Sequence, residues 1–444
     1  MHQPILRLTA ASLLAAALAA CGNSGDSAPP PSKLSAVPGD GRIMLSWDAE
    51  PGIEYWIFGA ADPGVTVDNW TDLPESYSVI RGRSPQPVCA LINGTTYWAT
   101  VNARTGTAGG GIGSAAVGET PRLAGETWTT TTLDAPINGL GFGLIDFCRT
   151  VNAHTDRERP ANGHFIAVGD AASIYTSLDG VNWAKQPTPV AEGFTADLYA
   201  VAVYTERPGD YDRLDQIWLA TGEESATLRS YNGVHWEVVS GPIPGTRSLR
   251  AIAQQFNLFV GVGDGGRIAT SSRGEPWRER ESPVTENLNS IVRDNGAYVV
   301  TGDNGVLLMS GDAAGWSRID LGTTARLRGA AYGDNNTNPG IVHEDDREID
   351  TWVVVGDGGT VARSLDNGRR WELFVLPGAP NLVGVGYTTA FIAVDESGGV
   401  WRSIDGANWT GPIASGLGTV QSASGLSEYG ILTALPGGRV ATTF

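Results

Sequence analysis

Carboxylates recur at matched places along this chain, and they are the first residues to test for chemistry. Asp170, Asp264, Asp303 and Asp357 each follow a glycine that closes an apolar run, while Asp179, Asp366 and Asp405 stand two residues after Ser177, Ser364 and Ser403. Two carboxylates facing each other across a cleft about 5–10 Å wide can hydrolyse a glycosidic bond. A carboxylate repeated at one turn position in copy after copy does something simpler: it accepts hydrogen bonds from turn amides. Repetition favours that structural role here. The copies holding Asn232, Arg273 and Asp312 depart from the pattern, so altered turns and no shared chemistry are expected there.

Other reactive groups are sparse. His154, His164, His235 and His343 show no spacing that would gather them on one metal, and no zinc motif occurs. Asp334, Asn336 and Asn338 offer oxygen ligands at the spacing of a calcium loop, but Pro339 and Asp345 occupy the places where such a loop needs Gly and Glu. No nucleophile elbow for a Ser-His-Asp site is present. These observations imply no cofactor, no metal and no catalytic residue.

A repeated frame must position these residues. The stretch Phe165–Trp183, FIAVGDAASIYTSLDGVNW, returns as Phe259–Trp277, Tyr298–Trp316 and Trp352–Trp371, more loosely as Trp218–Trp236 and Phe391–Trp409, and in truncated form at 431–444. Each copy reads as four short strands with Asp-Gly or Gly-Gly turns between them. The repeat tryptophans fall at 128, 183, 236, 277, 316, 371 and 409, a period of about 40–50 residues with four strands each, which predicts a β-propeller. The last copy stops before its Trp strand, and an unpartnered Trp strand, Glu126–Thr132, precedes the first. Pairing the two hides an exposed sheet edge and predicts seven blades over 125–444, closed by a strand from each end of the repeat region.

Three copies carry insertions, Cys148–Gly163, Thr205–Gln216 and Gly333–Asp350, all between the apolar strand and the Gly-Asp strand. Identical placement puts them on one face, together with the Ser-x-Asp turns. Long charged loops on a rigid scaffold are candidates for binding.

Residues Ser364–Trp371 (SLDNGRRW) resemble an Asp-box, the hairpin of bacterial-neuraminidase-type repeats, and Ser177–Trp183 and Ser403–Trp409 resemble a version one residue shorter. The resemblance implies structural roles for Ser177, Asp179, Trp183, Ser364, Asp366, Gly368, Trp371, Ser403, Asp405 and Trp409. The whole repeat is similar to the photosystem II stability and assembly factor family, whose members form seven-bladed propellers and are reported to bind a nascent membrane subunit through an arginine-rich patch. Here the arginines (Arg157, Arg159, Arg213, Arg250, Arg369, Arg370) read as scattered along an acidic chain. What carries over is the fold and a general role in protein interaction. Sialidases share Asp-boxes, but their arginine triad, Tyr-Glu nucleophile and Arg-Ile-Pro strand find no match in this sequence.

Residues 1–20 have a short basic start and an apolar centre, the pattern of a secretory signal peptide. Leu18-Ala19-Ala20-Cys21 resembles a bacterial lipobox, which implies acylation of Cys21, and Gly22 implies sorting to the outer membrane. Residues 21–33 then read as the lipidated cysteine and a Pro-rich tether. Residues 34–122 resemble a fibronectin type III sandwich. Gly41–Trp47 alternates like a strand, and Leu91–Tyr97 has the spacing of that family's tyrosine corner, which gives Tyr97 a backbone hydrogen bond. Cys89 and Cys148 can bridge, although two separate buried thiols are the simpler expectation.

The chain holds 30 basic and 48 acidic residues, a net charge of −18, which repels phosphate backbones and argues against nucleic-acid binding. The function expected is a non-catalytic, lipid-anchored envelope protein of the bacterial outer membrane, monomeric and attached through its N-terminal lipid only. Its propeller binds an envelope protein or a surface glycan. The alternative is a carbohydrate-active enzyme, a glycoside hydrolase or lyase, that uses the central propeller pocket.

Overall fold

The structure, a computed structural model, describes residues 27–106, 110–143, 164–189, 193–206, 215–239, 247–333, 350–378, 380–425 and 430–443. The expectations for the signal segment, Cys21, Cys148, the Asp334–Asn338 loop, the bulk of the three insertions, His154, His343, Arg157, Arg159 and Arg213 lie outside the described residues. Those that are described form β-strands and short 3-10 turns, with no α-helix. Among them no helix is long and apolar enough to cross a membrane. The chain divides into two compact units that meet between Arg122 and Leu123.

In the first unit, Ser35–Gly39, Arg42–Ser46 and Gln86–Val88 make a three-stranded sheet. Glu54–Ala60, Tyr77–Gly82, Tyr97–Arg104 and Val117–Glu119 make the body of a second sheet. Ile43, Leu45, Trp47, Tyr55, Ile57, Tyr97 and Val101 are buried together in one cluster drawn from both sheets. The Tyr97 hydroxyl accepts a hydrogen bond from the Ile92 amide at 3.2 Å. A second cluster joins Phe58 and Ala60 to Val65 and Trp70, so the irregular segment between two strands carries its own apolar anchor.

The second unit contains seven four-stranded antiparallel sheets among its described residues. The first runs Ile137–Gly143, His164–Gly169, Ile174–Ser177, Trp183–Lys185 in hydrogen-bonding order. The next five repeat that order, starting at Leu198, Leu249, Leu288, Leu327 and Leu382. The seventh takes Ser422–Gly425, Ile431–Leu435 and Arg439–Thr443 from the end of the chain and Thr129–Thr132 from the start of the unit, with Thr442 opposite Thr129. Each apolar strand therefore pairs with the Gly-Asp strand that follows it and is the first strand of its sheet.

Successive sheets pack face to face, which explains a departure from simple alternation. Trp352, Val353, Val354 and Val355 are all fully buried. Trp352 and Val354 pack with the fourth sheet, and Val353 and Val355 with the sixth. A strand covered on both faces has no solvent side to mark, and each such side chain contributes about 1.5–3 kcal/mol. The seventh sheet packs on the first in the same way, through Ile137, Ala167, Tyr175, Ala434 and Val440. Polar side chains of third strands also hold the next sheet's turn. Arg229 donates to the Gly274 carbonyl at 3.3 Å, Arg363 to that of Asp405 at 3.1 Å, and Thr442 of the seventh sheet to that of Gly180 in the first at 2.6 Å.

Candidate functional site

Six of the seven first strands contain a β-bulge at the same point. The register slips between Ile137 and Gly139, Leu198 and Ala200, Leu249 and Ala251, Leu288 and Ser290, Leu327 and Gly329, and Leu382 and Gly384. The bulge frees one residue per sheet from pairing and re-aims its side chain. Those residues are Asn138, Tyr199, Arg250, Asn289, Arg328 and Val383. The small residue that follows is required by crowding between neighbouring first strands. A Cβ on Gly139 would lie 2.2 Å from the Tyr199 carbonyl oxygen, and one on Gly384 would lie 2.2 Å from that of Ala423. First strands thus crowd together, and five of the bulges carry a polar side chain, Asn138, Tyr199, Arg250, Asn289 or Arg328, whereas Val383 is buried in the core between the sixth and seventh sheets.

The Gly-Asp turns stand beside them. Asn138 donates to Asp170 at 2.8 Å and Asn289 to Asp303 at 3.0 Å, while Arg250 and Arg328 pair with Asp264 and Asp357. Arg326, from the segment leading into the fifth sheet, pairs with Asp303 of the fourth at 3.2 Å. Those leading segments also lock the preceding turn: Asp197, Asn287 and Asn381 accept from the amides of Ala171, Gly265 and Gly358 at 3.0, 2.9 and 2.9 Å. Burial and then the carboxylates of Glu223 and Asp197 raise the Tyr199 pKa, so its hydroxyl stays protonated.

On the third to fifth sheets and their leading segments, Arg247, Arg250, Arg326 and Arg328 stand among Asp264, Asp303 and Asp357, with which three of them pair, whereas Asp170, Asp197, Glu223 and Glu396 belong to the first, second and sixth. Of the arginines named from the sequence, Arg250 pairs with Asp264 beside its bulge, whereas Arg369 and Arg370 lie in the Ser364–Trp371 turn at the other end. Guanidinium groups fixed in this way can bind a carboxylate through paired donors.

The Asp-box residues lie at the opposite end of the sheets. Asp179 accepts from the Val181 and Asn182 amides at 2.9 and 2.7 Å, Ser177 Oγ accepts from the Gly180 amide at 2.9 Å, and the Trp183 indole donates to the Gly180 carbonyl at 3.0 Å. Ser403, Asp405 and Trp409 repeat this geometry. Ser364, Asp366, Gly368 and Trp371 keep it in a turn one residue longer. Asp179 and Asp405 are held below the usual carboxylate range: burial raises them, and the turn amides and an asparagine side chain outweigh it. Asp312 and Asp366 are lowered chiefly by the Gly315 and Arg370 amides.

Two expectations about these turns change. Asn232 and Asp312 were placed in altered turns, yet Asn232 accepts from Val234 and His235 at 2.9 Å each, and Asp312 from Ala314 and Gly315 at 2.9 and 3.0 Å. An amide oxygen serves the turn as well as a carboxylate does. Arg273 does depart: Ser271 donates to the Glu275 carbonyl instead. A separate thiol at Cys89 is also corrected, because Cys89 is disulfide-bonded.

The sequence reading missed the bulge residues. Their signal is a repeated Leu/Ile-x-small pattern (INGLGF, LYAVAV, LRAIAQ, LNSIVR, LRGAAY, LVGVGY) in which the middle residue changes character from copy to copy. Among the described residues no group of three or more His, Cys, Asp or Glu can hold a metal ion.

No family model matches the sequence, and no curated protein matches it. Solved structures show similarity. A structure of YCF48 bound to D1 peptide is 17% identical with a TM-score of 0.50, over 71% of this chain and 96% of that one. YCF48 from Cyanidioschyzon merolae is 16% identical with a TM-score of 0.50, over 71% of this chain and 98% of that one. The WD40 β-propeller domain of Doa1 is 7% identical with a TM-score of 0.45, over 71% of this chain and 95% of that one. The fold of the second unit is that of a β-propeller.

Proposed function

We propose that this chain is a non-catalytic, lipid-anchored scaffold of the bacterial envelope. Its seven-bladed propeller, closed by the pairing of Thr129–Thr132 with Arg439–Thr443, holds a segment of a partner protein at the mouth of the bulged strands. The observation that carries this reading is the mounting itself: five bulged first strands carry a polar side chain, Asn138, Tyr199, Arg250, Asn289 and Arg328, beside the Gly-Asp turns. The likeness to YCF48 bound to D1 peptide supports a peptide occupant. The first unit, with its three-stranded and larger sheets and its Tyr97–Ile92 bond, is a fibronectin type III-like spacer. Cys21 carries the lipid that places the chain at the outer membrane.

The hydrolase alternative draws less support. A glycosidase acid is kept protonated by an apolar pocket or a like charge, whereas Asp170, Asp264, Asp303 and Asp357 each face an asparagine or arginine.

Crosslinking from intact cells tests the proposal. The chain and its Arg250→Glu/Arg328→Glu variant are compared, with Asp366→Ala as a turn control at the other end. Proteins captured by the parent and by Asp366→Ala but lost from the double variant place the site at the rim. An unchanged capture set removes it from there. Intact mass of the membrane-extracted protein checks for an acylated Cys21 at the N-terminus.

A further inference from the structure

The fourth strand of each propeller sheet is an outer edge, and an open edge offers unpaired amides and carbonyls to another strand. Charge or proline blunts four of these edges: Lys185 in the first sheet, Arg278, Glu279 and Arg280 in the third, Arg318 in the fourth and Pro412 in the sixth. The second opens only at Trp236, which is buried, and at Val238, because Val239 donates to the Thr227 carbonyl at 3.0 Å. The seventh edge, Thr129–Thr132, shows only threonines.

The edge of the fifth sheet, Glu372–Val375, has no such guard. Leu376 donates its amide to the Gly359 carbonyl at 2.9 Å, and Val375 lies opposite Thr360. Pairing alternates along an antiparallel ladder, so Phe374 and Glu372 also turn their backbone groups into the sheet. Leu373 and Val375 turn theirs outward. The same two residues expose their side chains, by 40% and 64%, and they share one face of the sheet because they stand two residues apart. The one charge on the strand, Glu372, sits at an inward position and is paired with Arg363. Open backbone and apolar side chains therefore coincide here.

We propose that this edge joins a second copy of the chain as an antiparallel pair about a twofold axis at Phe374. The occupant follows from register. An edge pairs only where open positions meet open positions, and the twofold at Phe374 sets Leu373 of each copy opposite Val375 of the other. That arrangement makes four backbone hydrogen bonds and brings four aliphatic side chains together on one face. The rotation closes on itself, so the product is a dimer and not a filament. A strand of another protein meets the same open groups, but only the edge's own image matches it in length, register and apolar face by construction. A net charge of −18 on each copy opposes association, so salt that screens the repulsion should strengthen the pair.

Sedimentation velocity over a concentration series tests this on the full chain beginning at residue 21 and carrying Cys21→Ser. The parent should form a concentration-dependent dimer that tightens at high salt. Val375→Pro removes an amide that points away from its own sheet, so the ladder survives while dimer affinity should fall about tenfold or more. Leu373→Lys with Val375→Lys should abolish the dimer by setting like charges opposite each other. Leu373→Lys with Val375→Glu should restore it, because this register brings opposite charges face to face. Unchanged unfolding midpoints confirm that the variants are folded. A parent that stays monomeric at every concentration overturns the proposal, as does a dimer that survives Val375→Pro or the double lysine variant. A lysine–glutamate variant that stays monomeric overturns the twofold register and the pair with it. A monomeric parent whose double lysine variant loses a crosslinked envelope protein assigns the edge to a partner's strand and overturns the proposal too. None of these outcomes touches the bulged end, so failure here is separable from failure of the scaffold reading.

Discussion

The two ends of the propeller are built from the same repeat and solve different problems. At the Asp-box end the polar side chains turn inward: Asp179, Asn232, Asp312, Asp366 and Asp405 all point at amides of their own turns. In three of these turns the residue shown to the outside is an apolar one, Tyr231, Leu365 or Ile404, directly after the serine. At the bulged end the polar side chains turn outward, because the bulge releases one residue per sheet from the ladder. There the charges are paired across the rim, not inside a turn. One repeat thus yields an end whose chemistry is nearly constant from copy to copy and an end whose chemistry changes with every copy. Variation at a fixed mount is what a recognition surface needs, and constancy is what a structural turn needs.

The comparison can be broken or sharpened by experiment, beginning with the largest effect. Gly384→Val drives a side chain into the Ala423 carbonyl, where a Cβ already lies 2.2 Å away. Backbone on both sides leaves little room to yield, so thermal unfolding should show a loss of at least about 3 kcal/mol. Arg250→Glu with Arg328→Glu should instead leave unfolding within about 1 kcal/mol, since these pairs are partly exposed. The double variant should weaken a rim-bound peptide about 100-fold, measured by fluorescence polarisation with a partner segment recovered from crosslinking. A large stability loss in this variant would turn the rim into a structural feature and erase the contrast between ends.

Asp179→Ala should do the reverse, costing about 1–2 kcal/mol of stability through the unsatisfied Val181 and Asn182 amides while peptide affinity stays the same. Acid should act on the same end. The Asp179, Asp312, Asp366 and Asp405 carboxyls are held below the usual carboxylate range. Their ionised forms therefore add stability that is present in full above about pH 4 and is lost as pH falls through the lower folded values. Unfolding midpoints should drop across that window, and Asp366→Asn should blunt the drop without breaking its turn, as the Asn232 copy shows. The smallest effect is expected from Phe256→Asn with Asn257→Gly, which copies the turn of the fourth sheet. Relief of strain at the exposed Phe256, whose φ is +49°, should raise stability by about 0.5–1 kcal/mol. A fall in stability would mean that Phe256 serves the fold.

Much of the frame was legible before any coordinates. Gly and Asp at the ends of apolar runs, and Ser, Asp and Trp at fixed spacing, act within a few residues of chain, so local sequence reveals them. The rim was not legible. Arg250 lies far in sequence from Arg326 and Arg328, and nothing in the letters says that Leu-x-small contains a bulge. Asn232 misled for a related reason: a change of residue type looked like a change of role, whereas the turn needs only an oxygen at that distance. Exposure of Phe256 was hidden as well, because an aromatic residue at the end of an apolar run reads as core.

The sequence by itself determined the repeat, the strands and turns of each copy and the placement of the box residues, because each depends on contacts within one hairpin. The pairing of Thr129–Thr132 with Arg439–Thr443 was also legible, from the truncated last copy and the unpartnered Trp strand, whereas tertiary structure alone decided that both faces of Trp352–Val355 are covered. It also set Arg250, Arg326 and Arg328 against Asp264, Asp303 and Asp357. The covering of both strand faces comes from face-to-face packing of neighbouring sheets, and the crowding of neighbouring first strands at Gly139 and Gly384 leaves room only for a small residue after each of those bulges.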